Sequence, residues 1–171
     1  INLIEELPSF PKPFITPVTG HSPAGGCVLA LCSDYRVMAA GEYIIGLNEV
    51  PVGIIVPSSI FELYSFWIGS GNAARFLLEG KLLTPQEALN IGLIDEVVNF
   101  DRIQNTATRK AKQYLQFEPN AWKASKINIR KNIIKQIQET KGPAIEQVLE
   151  RCWAPSTRAI LKAIIDNLTK K

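Results

Sequence analysis

The stretch that decides the fold reads Phe14-Ile15-Thr16-Pro17-Val18-Thr19-Gly20 and continues, after His21-Ser22, as Pro23-Ala24-Gly25-Gly26-Cys27-Val28-Leu29-Ala30-Leu31. The first part alternates and is rich in β-formers, which predicts a strand over Phe14–Thr19 ending at Gly20. The second part opens on proline and two glycines and then stays small and apolar. This predicts a helix over Cys27–Ser33 with Asp34 beyond it. A strand running into a Gly-Gly helix start presents unpaired backbone N–H groups, and the helix dipole adds positive potential there. Such a corner binds an anion or stabilises a developing oxyanion, and the missing Cβ at Gly25 lets a ligand come close to the backbone. Tight packing alone also accounts for a Gly-Gly pair. The segment is not a P-loop, because the Gly-Lys-Ser/Thr ending is missing, and no nucleophile elbow surrounds Ser22 or Ser33.

Upstream, residues 1–7 read as the end of an amphipathic helix closed by Pro8, and Pro8, Pro11 and Pro13 force an extended approach to the strand. Downstream, Tyr35–Ala39 and Tyr43–Ile45 read as short strands leading into the turn Gly46-Leu47-Asn48-Glu49. Helices are expected over Ile60–Ile68, ended by Gly69 and Gly71, and over Asn72–Glu79, with Asn72 as N-cap and Gly80 at its end. Thr84-Pro85-Gln86-Glu87 is a capping box that opens a helix over Thr84–Ile91, and Gly92 stops it. Leu93–Val98 returns as a strand. From Asp101 onward the pattern is helical throughout, with breaks expected at Pro119, Gly142-Pro143 and Pro155. The order is α/β: short strands wound with helices, then a helical tail.

Length and composition set the outer bounds. With 171 residues, 46% of them hydrophobic and 20% charged, the chain fits one globular domain with a real core. No uncharged run approaches the ~20 residues of a membrane span. Three cysteines (Cys27, Cys32, Cys152) without a CxxC, and His21 as the single histidine, give no metal-ligand spacing. An odd cysteine count without a disulfide framework fits a reducing compartment. Cys27 and Cys32 read as core residues. Charge is lopsided: residues 1–100 hold four basic and ten acidic residues (net −6), residues 101–171 fifteen basic and six acidic (net +9). A basic C-terminal half suggests an anionic partner or a set of solvated helix faces, and no RNA-module motif supports nucleic acid.

Glu49 stands in a turn between Ile44-Ile45 and the apolar run from Val50 to Val56. Desolvation in such company raises a carboxyl pKa towards values useful for general acid/base work. A solvated turn glutamate before Pro51 is the plainer alternative.

Several runs then carry a resemblance. Pro13-Phe14-Ile15-Thr16-Pro17-Val18-Thr19-Gly20, Ala24-Gly25-Gly26-Cys27-Val28-Leu29-Ala30-Leu31 and Asp34-Tyr35-Arg36 resemble the signature of the crotonase (enoyl-CoA hydratase/isomerase) superfamily. The likeness continues in order through Gly53-Ile54-Ile55-Val56-Pro57, Leu78-Glu79-Gly80, Gln86-Glu87-Ala88 and Gly92-Leu93-Ile94-Asp95-Glu96-Val97-Val98, and so covers residues 12–98. It implies the C-terminal part of a crotonase-like ββα spiral over residues 1–100 and a C-terminal helical region over 101–171. Within the superfamily, Gly46-Leu47-Asn48-Glu49 with Pro23-Ala24-Gly25-Gly26-Cys27 is most similar to the mitochondrial Δ3,Δ2-enoyl-CoA isomerases. Hydratases of the superfamily carry one glutamate just after the cysteine of the Gly-Gly-Cys helix and another at the position of Glu49. Here the first position is Val28. Adding water across a double bond needs two acid/base groups, whereas moving a proton from C2 to C4 needs one, so the resemblance favours an isomerase.

The resemblance implies Glu49 as catalytic base and Ala24, Gly25 and Gly26 as substrate-binding residues. It also implies an acyl-CoA thioester as partner, no separate cofactor because CoA belongs to the substrate, a trimeric homo-oligomer and a mitochondrial matrix location. Lys123, Lys126 and Arg130 fall on roughly one helical face and are candidates for holding CoA phosphates. A full crotonase unit begins upstream of Ile1 and includes the other oxyanion N–H and most of the adenine and pantetheine pocket. The 171 residues by themselves are therefore expected to show weak or no isomerase activity. A non-catalytic or truncated crotonase-fold protein that binds acyl-CoA or partner subunits stays open as an alternative, and a hydratase is the third reading.

Overall fold

The computed structural model describes residue 4 and residues 6–169. The expected helix end over residues 1–7 lies in part outside the described residues, and Leu7–Ser9 form a 3-10 turn around buried Pro8. Among the described residues six short strands follow: β1 (Ile15–Val18), β2 (Ser22–Pro23), β3 (Tyr35–Ala39), β4 (Ile45–Gly46), β5 (Leu82–Leu83) and β6 (Glu96–Val98). They form two three-stranded sheets. In the first, β3 lies between β1 and β6, both parallel to it, with Ile15 opposite Tyr35 and Val37 opposite Glu96. In the second, β4 pairs parallel with β2 and antiparallel with β5. The chain therefore steps from one sheet to the other and back, which winds β1, β2 and α1 (Gly25–Leu31), then β3, β4 and α2 (Ser58–Ile68), into successive turns of a spiral.

The remaining helices are α3 (Ser70–Glu79), α4 (Pro85–Asn90), α5 (Ile103–Tyr114), α6 (Pro119–Trp153) and α7 (Pro155–Leu168). The Thr84 capping box forms as expected, with the Thr84 hydroxyl accepting from the Glu87 N–H and the Glu87 carboxylate accepting from the Thr84 N–H. Asn72 is not the cap of its helix. The helix starts two residues earlier after Gly69 (φ +78°), and the Asn72 amide instead donates to the Ile68 carbonyl at the end of α2, 3.1 Å away. Pro119 and Pro155 each take the first position of a helix, where a missing N–H costs nothing. The break expected at Gly142-Pro143 does not occur: α6 runs through it for 35 residues. Proline's fixed φ is itself a helical value, and one lost hydrogen bond does not end a helix this long.

The core gathers between the sheets and α1–α4: Cys27, Leu31, Cys32, Met38, Ile45, Leu47, Leu63, Tyr64 and Leu83 are buried together, joined by Ile133 and Ile137 from α6. Both sequence-predicted core cysteines are fully enclosed. Arg36 is also enclosed. It donates from Nε to the Leu93 carbonyl (2.7 Å), pairs with Asp95 (2.7 Å) and stacks its guanidinium 3.5 Å over the Trp67 ring. Burial lowers its pKa to about 10, and the Asp95 carboxylate opposes that shift.

Candidate active site

The corner between β2 and α1 is built by a single unusual residue. Ala24 has φ +49° and ψ −119°, the one positive φ outside glycine among the described residues. An L-residue is strained there. The conformation lets Ala24 serve two elements at once: its N–H donates to the Gly46 carbonyl (2.8 Å), and its carbonyl accepts from the Val28 N–H (3.0 Å) as the first bond of α1. The N–H groups of Gly25, Gly26 and Cys27 precede that first bond and have no intrahelical acceptor. Gly25 is exposed, and a Cβ built on it meets nothing within 4 Å, so space opens in front of its backbone. Gly26 is glycine for another reason: a Cβ there would lie 2.6 Å from the Ser22 hydroxyl. Ala24 is half-buried.

Glu49 reaches the same corner through β4. Pairing of Pro23 with Gly46 fixes β4 beside the start of α1, and Glu49 follows three residues later. It heads a 3-10 turn over Val50–Val52, and its carbonyl accepts the N–H groups of Val52 (3.1 Å) and Ile54 (2.9 Å). The turn is clamped from two sides. Gly80, with φ +60°, lets α3 end against Pro51, whose ring any Cβ at Gly80 would strike. Buried Thr157, at the start of α7, donates its hydroxyl to the Gly53 carbonyl (3.0 Å). Gly53 itself has φ +82°, and a Cβ on it would lie 2.7 Å from that hydroxyl.

The Glu49 side chain is half-buried, and its Oε2 is buried without a hydrogen-bond partner among the described residues. Desolvation raises its pKa above the ordinary 4.5, and its own backbone N–H pulls it partly back. Burial pushes the Cys27 thiol of α1 far up, and the Glu49 carboxylate adds to that shift. The carboxyl is thus a base strengthened by partial burial, three residues beyond the Gly46 that pairs with Pro23 just before α1. Val28 is buried in the core and adds no second acid. Next to the Glu49 turn lies an apolar groove of about 580 Å³, lined by Val50, Ile54, Ile55, Val56 and Phe61 among others.

The basic face of α6 is a correction. Lys126 and Arg130 are buried and do not face solvent. Lys126 Nζ pairs with Asp34 Oδ2 (2.7 Å), and Arg130 pairs with Asp34 Oδ1 (3.0 Å) while donating to the carbonyls of Cys32 (2.8 Å) and Ser33 (2.7 Å). Their charge satisfies the carbonyl end of α1, where a cation is favourable, and is not free for phosphates. Lys123 alone of the three is exposed.

With this geometry in view, the sequence matches the family described as enoyl-CoA hydratase/isomerase over residues 1–153. The chain belongs to that family. Enoyl-CoA delta isomerase 1, mitochondrial, of Mus musculus is 42% identical over 127 residues, which span 71% of this chain and 44% of the mouse protein. A probable enoyl-CoA hydratase of Mycobacterium tuberculosis is 29% identical over 74% of this chain and 48% of its own. The crystal structure of human mitochondrial delta3-delta2-enoyl-CoA isomerase superposes with a TM-score of 0.92 at 29% identity, covering 98% of this chain and 65% of the human one. The spiral is therefore a crotonase fold. The chain spans about half the length of the curated relatives it matches.

Two residues that hold the Glu49 turn were not foreseen as such from the sequence. Thr157 and Gly80 meet it from far along the chain. Only the expectation that Gly80 ends a helix pointed to either of them.

Proposed function

We propose that this chain carries the proton-shuttling part of a Δ3,Δ2-enoyl-CoA isomerase that moves the double bond of a 3-enoyl-CoA to the 2-trans position in fatty-acid β-oxidation. The observation that supports the reading is a half-buried carboxylate, Glu49, three residues beyond the Gly46 that pairs with Pro23 just before α1, with buried Val28 where, by the resemblance, a hydratase of the family has its second acid. In the reaction Glu49 takes a proton from C2. The C2–H electron pair forms C1=C2 and pushes the carbonyl pair onto the thioester oxygen, which gives a dienolate conjugated with C3=C4. As the carbonyl re-forms, the C3=C4 electrons take the same proton from the carboxyl at C4. The products are the C2=C3 double bond and a regenerated carboxylate. The Gly25 N–H and a second donor hold the negative charge on the thioester oxygen. Each such donor is worth about 10²–10³ in rate and the shuttle about 10²–10⁴. The names of the mouse and human relatives support a mitochondrial site of action, the family supports an acyl-CoA substrate, and a homo-oligomer, a trimer, rests on the resemblance alone.

The test is a coupled assay of 3-hexenoyl-CoA conversion to its 2-trans isomer, run on the chain and on Glu49→Gln. Turnover that the substitution abolishes while acyl-CoA binding persists supports the isomerase. Water addition to a 2-enoyl-CoA in the same assay would favour the hydratase that the mycobacterial relative's name suggests. Acyl-CoA binding without either reaction would leave a non-catalytic member of the fold.

A further inference from the structure

The apolar groove beside the Glu49 turn carries a single charge. Val50 follows Glu49 in the chain, and Ile54 donates its N–H to the Glu49 carbonyl (2.9 Å). Both line the groove, so the groove and the carboxyl share one turn. Phe61 of α2 and Leu78 of α3 extend the apolar lining. Val50, Ile55 and Leu78 stand exposed, Leu78 by 71%. Apolar side chains gathered like this and open to water mark a ligand groove or an interface. Among the described residues, the only charged side chain on the lining is Arg151, in the last turn of α6.

The corner between α6 and α7 fixes the place of Arg151. Its carbonyl accepts the Ala154 N–H (3.1 Å), and three residues further on the Thr157 hydroxyl donates to the carbonyl of Gly53, which also lines the groove. The guanidinium forms no ion pair among the described residues, and no carboxylate lines the groove. Lys126 and Arg130 of the same helix are, by contrast, already neutralised by Asp34. A groove of about 580 Å³ with apolar walls and one placed charge has the make-up of a small-ligand site. Its charge asks for an anion, and its walls ask for a hydrocarbon chain.

We infer that the groove takes the acyl chain of an ω-carboxyacyl thioester, a dicarboxylic acid esterified at one end, whose methylenes lie on the apolar walls and whose terminal carboxylate pairs with the Arg151 guanidinium. The guanidinium fork matches a carboxylate through two parallel hydrogen bonds. An ordinary acyl chain ends in a methyl group, which gives that fork nothing to bind. The inference names the substrate class of the isomerase reading and rests on that reading for the thioester. The pairing of chain and cation does not depend on turnover. Arg151 is exposed, so water competes for it, and the preference is about fivefold, the upper end of what an exposed ion pair supports.

The experiment is a methyl NMR titration of the intact chain, labelled at isoleucine, with the N-acetylcysteamine thioesters of octanoic acid and of octanedioic acid. Both probes are saturated, so neither can isomerise. Ile54 and Ile55 report on the groove, their signals identified through Ile54→Val and Ile55→Val. Both signals are expected to shift with either probe, and the octanedioyl monothioester is expected to bind about fivefold more tightly. Arg151→Gln, a change on an exposed side chain, is expected to bring the two affinities together by weakening the octanedioyl probe. Equal affinities in the wild-type chain, a preference that survives Arg151→Gln, or methyl shifts confined to residues outside the groove overturn the inference. A fivefold preference in a chain that does not convert 3-hexenoyl-CoA upholds the groove's ligand and refutes the isomerase. Turnover without the preference does the reverse, so the two failures separate.

Discussion

Asp34, just past the end of α1, and Arg130, midway along α6, form a buried ion pair of 3.0 Å, with Lys126 on the second carboxylate oxygen at 2.7 Å. The Phe14 N–H donates to that same oxygen (2.8 Å), so one carboxylate ties the start of β1, the end of α1 and the long C-terminal helix together. Asp34→Asn leaves two enclosed cations without a counter-charge. Loss of one partner of a buried pair costs about 3–5 kcal/mol. Urea unfolding of the variant is expected to show a loss of that size, and a change below about 1 kcal/mol would mean that packing, not charge, holds α6 on the spiral.

That pair also explains what the sequence could and could not disclose. The Phe14–Thr19 strand, the Gly-Gly helix start, Tyr35–Ala39 and the Thr84 capping box were legible because each is a local pattern whose cause lies within a few residues. Strands β2 and β5 were not, since two-residue strands have no alternation to read. The basic stripe Lys123, Lys126, Arg130 looked like a free surface because nothing local tells a lysine that an aspartate 92 residues upstream will meet it. Glu49 was legible as a residue and not as a geometry. Its placement depends on Gly80 and Thr157, which meet its turn from far along the chain.

Glu49 binds its proton more tightly in the folded chain than in the unfolded one, because partial burial raises its pKa above 4.5. Its contribution to stability is therefore complete below that value and is lost as pH rises through the folded pKa. At neutral pH the ionised, under-solvated carboxylate destabilises the fold. Glu49→Gln is expected to raise Tm by a few degrees at pH 7 and by much less at pH 4, where the wild-type group is already neutral. Equal shifts at both pH values, read by thermal denaturation, would show that the carboxyl is as well solvated in the folded chain as in the unfolded one.

Gly80 and Gly20 make a paired test of the clamp. Gly80 has φ +60° and faces the Pro51 ring, whereas a Cβ at Gly20 would meet only the edge of Tyr43 at 4.0 Å. Gly80→Ala adds a left-handed backbone penalty and a collision with a rigid ring, together about 2–4 kcal/mol. The turn must shift to admit the methyl, and Glu49 moves with it. If Glu49 is the base of the proposed isomerase, misplacing it by about 1 Å costs on the order of 10² in rate, and kcat is expected to fall further than KM rises. Gly20→Ala is expected to stay within about 0.5 kcal/mol of wild type. Similar losses in the two variants, measured by urea unfolding, would deny the turn its special dependence on Gly80.

Thr157→Val keeps the shape of a fully buried side chain and deletes the hydroxyl that donates to the Gly53 carbonyl. A neutral hydrogen bond of this kind contributes about 1 kcal/mol, so the fold survives and the loss is felt locally. The Ile54 N–H, bonded to the Glu49 carbonyl at 2.9 Å, is the natural reporter. It opens when the turn opens, and the turn is held at Gly53 by α7. Hydrogen exchange at Ile54 and at Gly53, whose N–H bonds the Val50 carbonyl, is expected to quicken several-fold in the variant, while exchange in β3 stays unchanged. If both sites exchange as in wild type, α7 merely covers the turn, and the orientation of Glu49 is set within the spiral by Gly80 and the β2–β4 pairing alone.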